Sequence, residues 1–270
     1  MPDSSVTAVA AVINALLLLG GVYIYVALIR QIAARTPENS DFVERGFGPP
    51  DIVLATGLGT LFALNALAST SHDGKMVMRT DELIANALIT ITLFLFVAAF
   101  LKIRGRNVTS LAGFAKLGFR RTFFTGAILL LSAYPLIFVA DLLTQQLLGG
   151  SSSRQNIVEL FNDSQTLKQR VLIIILAVAI APIVEEFVFR FFLYGVVKRY
   201  CGRFIGLATN SVLFAAVHAH IPSAAPLFVL GACFTLAYEW SGSILVSMTM
   251  HALFNSLTLT ALAFPDLLPQ

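Results

Sequence analysis

An all-α, polytopic integral membrane protein with about eight transmembrane helices is the fold class this sequence predicts. Three observations predict it. Of the 270 residues, 57% are hydrophobic and only 12% are charged, where a soluble domain carries about 25% charged residues. The mean hydropathy is +0.82. Apolar stretches close to the roughly 20 residues that a spanning helix needs recur along the whole chain.

Those stretches run 7–29, 52–69, 83–102, 122–147, 171–197, 204–218, 224–240 and 243–263, the sixth and seventh being short. The first runs too long for a signal peptide, and it lacks both a basic start and a small-residue cleavage site. It therefore reads as a retained helix. Pro37, Gly46, Gly48, Pro49 and Pro50 make the next connection a turn-rich loop. The glycines of Gly57-Leu-Gly59 read as small-residue helix packing. His72 lies in a polar loop over 70–82 and reads as solvated. The 102–121 connection holds six basic residues and no acidic one. It reads as a positive-inside topology signal, in preference to a loop lying on anionic headgroups with an interfacial helix around Leu111–Phe119. The 148–170 connection opens on Gly149, Gly150 and three serines, then turns helical around Ile157–Phe161. With the N-terminus outside, basic residues beyond the spans divide twelve to the cytoplasmic side and five, Lys75, Arg79, Arg154, Lys168 and Arg170, to the other. Cys201 and Cys233 form neither a metal-ligand spacing nor an evident disulfide. The expected partners are membrane lipids, with no nucleic acid.

Charge divides the chain in two. The cores of the first four spans are almost free of it, apart from Asp141, whereas the last four hold Glu185, Glu186, Arg190, His218, His220, Glu239 and His251. Residues 1–150 thus read as a motif-free set of helices and 151–270 as the catalytic core. An ionisable group at membrane depth costs about 2.5–3.5 kcal/mol on insertion scales, so such residues mark function or pairing. Glu186 and Arg190, four apart, share a helix face and can pair. Glu185 is turned about 100° from Glu186 and is harder to neutralise. Pro182 should bend this helix and free a backbone carbonyl, which is tolerated at membrane depth only under protein or water.

His218 follows Phe214 by one turn, and His251 precedes Asn255 by one turn. Two histidines on separate intramembrane helices beside an unpaired glutamate point to one shared site. His220, before Pro222, reads as a loop residue, Glu239 beside Trp240 as an interfacial anchor, and Asn210 as an interhelical hydrogen-bonding group. Hydrolysis fits these groups: a glutamate and a histidine deprotonate water, while a second histidine and an asparagine donate to the oxyanion. A zinc site built from Glu185, His218 and His251, with one position open for water, fits the same side chains. No H-E-x-x-H, no G-x-S-x-G and no pair of intramembrane aspartates occurs.

The runs Glu185-Glu186-x-x-x-Arg190, Phe214-x-x-x-His218 and His251-x-x-x-Asn255 resemble the three signature motifs of the CPBP (ABI) family of intramembrane proteases. That family includes type II CAAX prenyl endopeptidases and bacteriocin-processing or self-immunity proteins. Phe228, Gly231, Tyr238 and Ser241-Gly242-Ser243 also stand in the family's order, and the resemblance covers about 155–260. It implies Glu185 and His218 as the water-activating pair, His251 and Asn255 at the oxyanion, and Glu186 and Arg190 in support. Members are described both as metalloproteases and as metal-independent glutamate proteases, so a zinc cofactor stays open. The implied substrates are prenylated, leader-type or membrane-anchored peptides. Short loops and the lack of a targeting tail lead to the expectation of a bacterial inner-membrane protein. Two rival readings use the same residues: a non-catalytic immunity or scaffold protein, and an ion-coupled transporter, for which the expected repeated halves are missing.

Overall fold

The computed structural model describes residues 4–35, 46–69, 80–148, 161, 164 and 166–264. Among these, every regular element is helical: α1 (Ser4–Ala33), α2 (Pro49–Ser69), α3 (Thr80–Ile103), the short α4 (Val108–Leu111), α5 (Phe119–Leu148), α6 (Leu167–Cys201), α7 (Arg203–Val217), α8 (Ala224–Ser241) and α9 (Ile244–Ala263). Seven of them are long and apolar enough to cross a membrane, and α7 is the shorter apolar helix among them at 15 residues. The expected eight spans therefore become seven and one short helix. Gly202, at φ 85°, ends α6 and opens α7, and the turn after His218 stops α7 before full length. The seventh stretch is not short, because a 3-10 turn at Ile221–Ser223 extends it to the 21 residues Ile221–Ser241. The expectations for His72, Lys75, Arg79, Arg154 and Ile157 fall outside the described residues.

The inner layer is α8, flanked by α7, α5 and α9, with α1 laid across α5 and α8. Small residues permit the closest approaches. A Cβ on Gly126 of α5 would lie 2.9 Å from the Thr249 methyl of α9. On the other flank, the phenylalanines of α6 reach the N-terminal helices. Phe187 meets Phe94 of α3 edge-on at 4.8 Å, and Phe189 stacks on Phe62 of α2 at 5.4 Å. Phe47, ahead of α2, caps Phe191 and Phe192. The motif-free helices therefore wall the helix that carries Glu185 and Glu186.

In the 102–121 connection no helix forms over 112–118: between α4 and α5 the chain makes turns over 112–115, so the alternative of an interfacial helix there is not met. Ala112 is fully buried, its carbonyl accepts the Ile244 N–H at 3.0 Å, and Gly113 sits against the Gly242 carbonyl, where a Cβ would come within 2.0 Å. The basic loop is thus a brace on the turn between α8 and α9. Its neighbours at one end of the bundle have similar duties. Arg35 donates from both terminal nitrogens to the carbonyls of Glu239 and Trp240, at 2.9 and 2.7 Å, and Arg203 donates to those of Ile32 and Arg35. Helix C-termini leave such carbonyls unpaired, and basic side chains satisfy them while complementing the helix dipole. Several arginines counted only for orientation therefore also cap helices.

Candidate active site

The site begins with the irregular winding of α6. Pro182 has no N–H to donate, and the backbone ahead of it widens into a π turn over Leu176–Ile180, closed by Ala181 N–H donating to the Leu176 carbonyl. In that i→i−5 register the donor for the Ala177 carbonyl would be residue 182, which is the proline. The stranded carbonyl is taken instead by Asn255 of α9, whose Nδ2 donates to it at 2.7 Å. The carbonyl expected to be freed by Pro182 is thus present and covered by protein. A second π stretch, Glu186–Leu193, follows, and all of its side chains are buried.

Glu186 and Arg190 pair as expected, Oε1 to Nη1 at 3.0 Å, both side chains at 0% exposure. The contact is an ion pair without hydrogen-bond alignment, since Arg190 Nη1 gains no directed bond from it. Glu186 has a second partner that spacing could not reveal. Its Oε1 accepts from His251 Nδ1, also at 3.0 Å, so one carboxylate oxygen ties α6 to α9. Arg190 is held further by aromatic faces, 4.2 Å above the Phe214 ring and 5.2 Å from that of Phe234, a cation–π arrangement. Its Nη2 lies 3.5 Å from the Gly231 carbonyl. That carbonyl also accepts from Thr235 Oγ1 at 2.8 Å, and Thr235 Oγ1 in turn accepts from Asn210 Nδ2 at 2.9 Å. Asn210 is therefore the interhelical group expected of it. Thr235, Phe234 and the Gly231 carbonyl were not singled out, because a threonine, a phenylalanine and a backbone oxygen in an apolar helix carry no charge signal.

Glu185 differs from its neighbour. Its side chain keeps 25% exposure, and its Oε2 has no hydrogen-bond partner and lies 3.9 Å from His251 Nε2. His218 caps the end of α7, its Nδ1 2.7 Å from the Phe214 carbonyl. That contact assigns the proton to Nδ1 and leaves a lone pair on Nε2. Phe214 joins the two histidines: its ring is 4.9 Å from that of His218 and 5.8 Å from that of His251. Phe234 stacks on His251 from another side at 5.1 Å. The sequence-predicted residues thus gather around the Phe214 ring and the Glu186 carboxylate. Asn255 places one of its two amide hydrogens on the Ala177 carbonyl.

Two further expectations are settled by position. His220 is a turn residue as expected, 2.8 Å through Nδ1 from Ser223 Oγ. Glu239 is not an interfacial anchor. It is buried, accepts from Tyr194 Oη at 2.9 Å, and pairs with Lys198 Nζ at 2.5 and 2.7 Å. Among the described residues, no group of three or more His, Cys, Asp or Glu is placed so that it could hold a metal ion.

Comparison with known families gives one match. Residues 167–257 match the model of the type II CAAX prenyl endopeptidase Rce1-like family. The match contains all three motifs, Glu185-Glu186-x-x-x-Arg190, Phe214-x-x-x-His218 and His251-x-x-x-Asn255, and bears out the family resemblance over about a third of the chain. The matched family is one of CAAX-type intramembrane proteases, and the chain is all-α, integral and multi-pass. No curated protein and no solved structure matches the chain.

Proposed function

We propose that the protein is an endopeptidase that hydrolyses a peptide bond of a membrane-associated substrate, with Glu185 as the group that activates water. One observation carries this reading: of two adjacent carboxylates, Glu186 is fully buried against Arg190, while the Glu185 side chain keeps 25% exposure. A structural carboxylate at membrane depth would be paired; one that meets water must keep part of its surface open.

The steps follow from the hydrogen bonds. Glu185 takes a proton from water, and His218 Nε2 shares that role, its ring fixed by the bond from Nδ1 to Phe214. The water oxygen attacks the scissile carbonyl and forms the C–O bond. The carbonyl electron pair moves to oxygen, where a doubly protonated His251 ring donates from Nε2; its Nδ1–H stays on Glu186, which orients the ring. The C–N bond then breaks, and the proton held by Glu185 passes to the departing amine. Arg190 balances the charge of Glu186 throughout. No step is routed through a metal. The substrate class proposed is a prenylated, leader-type or membrane-anchored peptide, and the proposed location is a bacterial inner membrane.

The test is cleavage of a fluorogenic prenylated peptide and a panel of leader peptides by purified wild type, Glu185→Ala and His218→Ala. Loss of about 10²–10⁴-fold in kcat is expected for each variant, the range for a positioned acid–base group, with folding retained. Activity unchanged in Glu185→Ala would overturn the assignment. Metal content and chelation on the same preparation check the cofactor: full activity without bound metal is expected.

A further inference from the structure

We infer that the outer groove between α1 and α5 holds an anionic phospholipid, its phosphate between Arg30 and Arg121 and an acyl chain along the apolar residues beside them. The site lies apart from the catalytic residues and does not rest on the protease reading. Most described basic side chains at this end of the bundle are committed inside the protein. Arg35 and Arg203 cap helix carbonyls, Arg104 pairs with Asp51, and Lys198 pairs with Glu239. Among the described residues there, Arg30, Lys102, Arg120 and Arg121 are exposed and have no hydrogen-bond, ion-pair or ring partner. Asp51 and Glu239 are buried and already paired, so neither neutralises them. Arg121 also stands in the first turn of α5, which holds no acidic residue. A cation there opposes the helix dipole, and an anion relieves both charges.

Two of the four flank one groove. α1 and α5 run antiparallel: Gly21 fits against the Ser132 carbonyl, and Tyr25 Oη donates to that of Leu129 at 2.9 Å. Carried forward, this register sets Arg30 level with about Phe124. Arg121 is three residues nearer the end, roughly 4.5 Å of helical rise, so both guanidinium groups can reach one phosphate. Helical spacing lines the groove with apolar side chains. Val22, Val26 and Ile29 recur at i, i+4 and i+7 on α1, next to Arg30; Phe124 and Ile128 follow Arg121 at i+3 and i+7 on α5. All five apolar residues are exposed. Gln31 turns the other way and accepts from Trp240 Nε1 at 2.8 Å, so α8 closes the opposite flank of α1. A planar guanidinium donates to phosphate oxygens in pairs, and basic groups above an apolar cleft between spanning helices suit a lipid headgroup. A free phosphate would leave the cleft beneath it unmatched, which favours the lipid.

The full chain, purified in detergent, tests this through the rise of Tm on adding lipid. Phosphatidylglycerol is expected to stabilise at lower concentration than phosphatidylcholine. Arg30→Gln and Arg121→Gln should each raise the phosphatidylglycerol concentration needed about fivefold, and the pair about 25-fold, the worth of one basic residue near an anionic surface. Arg120→Gln and Lys102→Gln are the controls. Arg120 is turned about 100° from Arg121, and Lys102 ends α3, which packs on α6 through Phe94. Both should stay within about twofold of wild type. Equal losses at all four positions would mean a general surface field and overturn the site. So would phosphatidylcholine matching phosphatidylglycerol, or inorganic phosphate alone giving the same rise. Should a glutamine variant not fold, wild type in about 0.05 M and about 0.5 M salt replaces it. The phosphatidylglycerol effect should shrink at the higher salt, and an unchanged effect would sink the site. No substrate enters the measurement, so failure of the cleavage panel and failure of the lipid site are separate results.

Discussion

The first three helices and the last four solve the membrane problem in opposite ways. Within its most apolar window, α3 has 11% of its residues buried inside the protein, whereas the Ile221–Ser241 stretch has 56%. α1 presents Val12, Leu16, Leu17 and Leu19 outward, each more than half exposed and so available to lipid. α6 and α8 turn inward instead and surround Glu186, Arg190, Asn210, Thr235 and Glu239, all buried. An apolar sequence is thus compatible with either role. What separates them is whether a helix carries groups that lipid cannot solvate, because those groups force neighbours to close around them.

Substitutions can break or sharpen that contrast. The largest loss is expected at the sealed pair. Glu186→Ala or Arg190→Ala strands a buried charge and should cost about 3–5 kcal/mol. Replacing both with apolar residues of similar volume should return most of that stability while leaving the protein inactive, as chemical unfolding and the cleavage assay would show. Next comes the brace between α4 and α5. Gly113→Ala adds a Cβ against the Gly242 carbonyl at a positive φ of 69°; with about 1–3 kcal/mol for the backbone strain alone, a lower Tm is expected. Asn210→Ala removes one interhelical hydrogen bond and should cost about 0.6 kcal/mol, at most about 1.7, measured by the same unfolding assay. The smallest effect belongs to the lipid face. Leu16→Ala, at a residue 62% exposed, should stay within about 0.5 kcal/mol. A loss at Leu16 as large as that at Asn210 would mean that α1 has a protein partner there and that the contrast between halves is misdrawn.

Much of this was legible in the sequence, for physical reasons that also explain the gaps. Glu186 and Arg190 are four apart on one helix, so local geometry alone pairs them. Pro182 announces a stranded carbonyl, since proline lacks a donor wherever it stands. Neither residue says who answers from another helix. His251 reaches Glu186 across 65 residues and Asn255 reaches Ala177 across 78, and no spacing rule spans such separations. The misreadings have the same origin. Glu239 beside Trp240 has the composition of an interfacial anchor, yet Tyr194 and Lys198 one helix away make it a buried pair. The basic run over 102–121 has the composition of a headgroup-binding helix, but Gly113 and Ala112 fit the turn at Gly242–Ile244 more closely than a helix would allow.

The brevity of α7 has a consequence for the bilayer. Fifteen residues rise about 22 Å, against a hydrocarbon thickness of about 30 Å. A chain that enters this helix at Gly202 and leaves it at His218 cannot cover the remaining distance as helix. The non-helical backbone from His218 to His220, half-buried in the protein, must therefore either lie below the headgroup level or draw the headgroups down to itself. A bilayer that meets α7 at Gly202 would have to thin by about 8 Å, or admit water to that depth, for its other surface to reach His218.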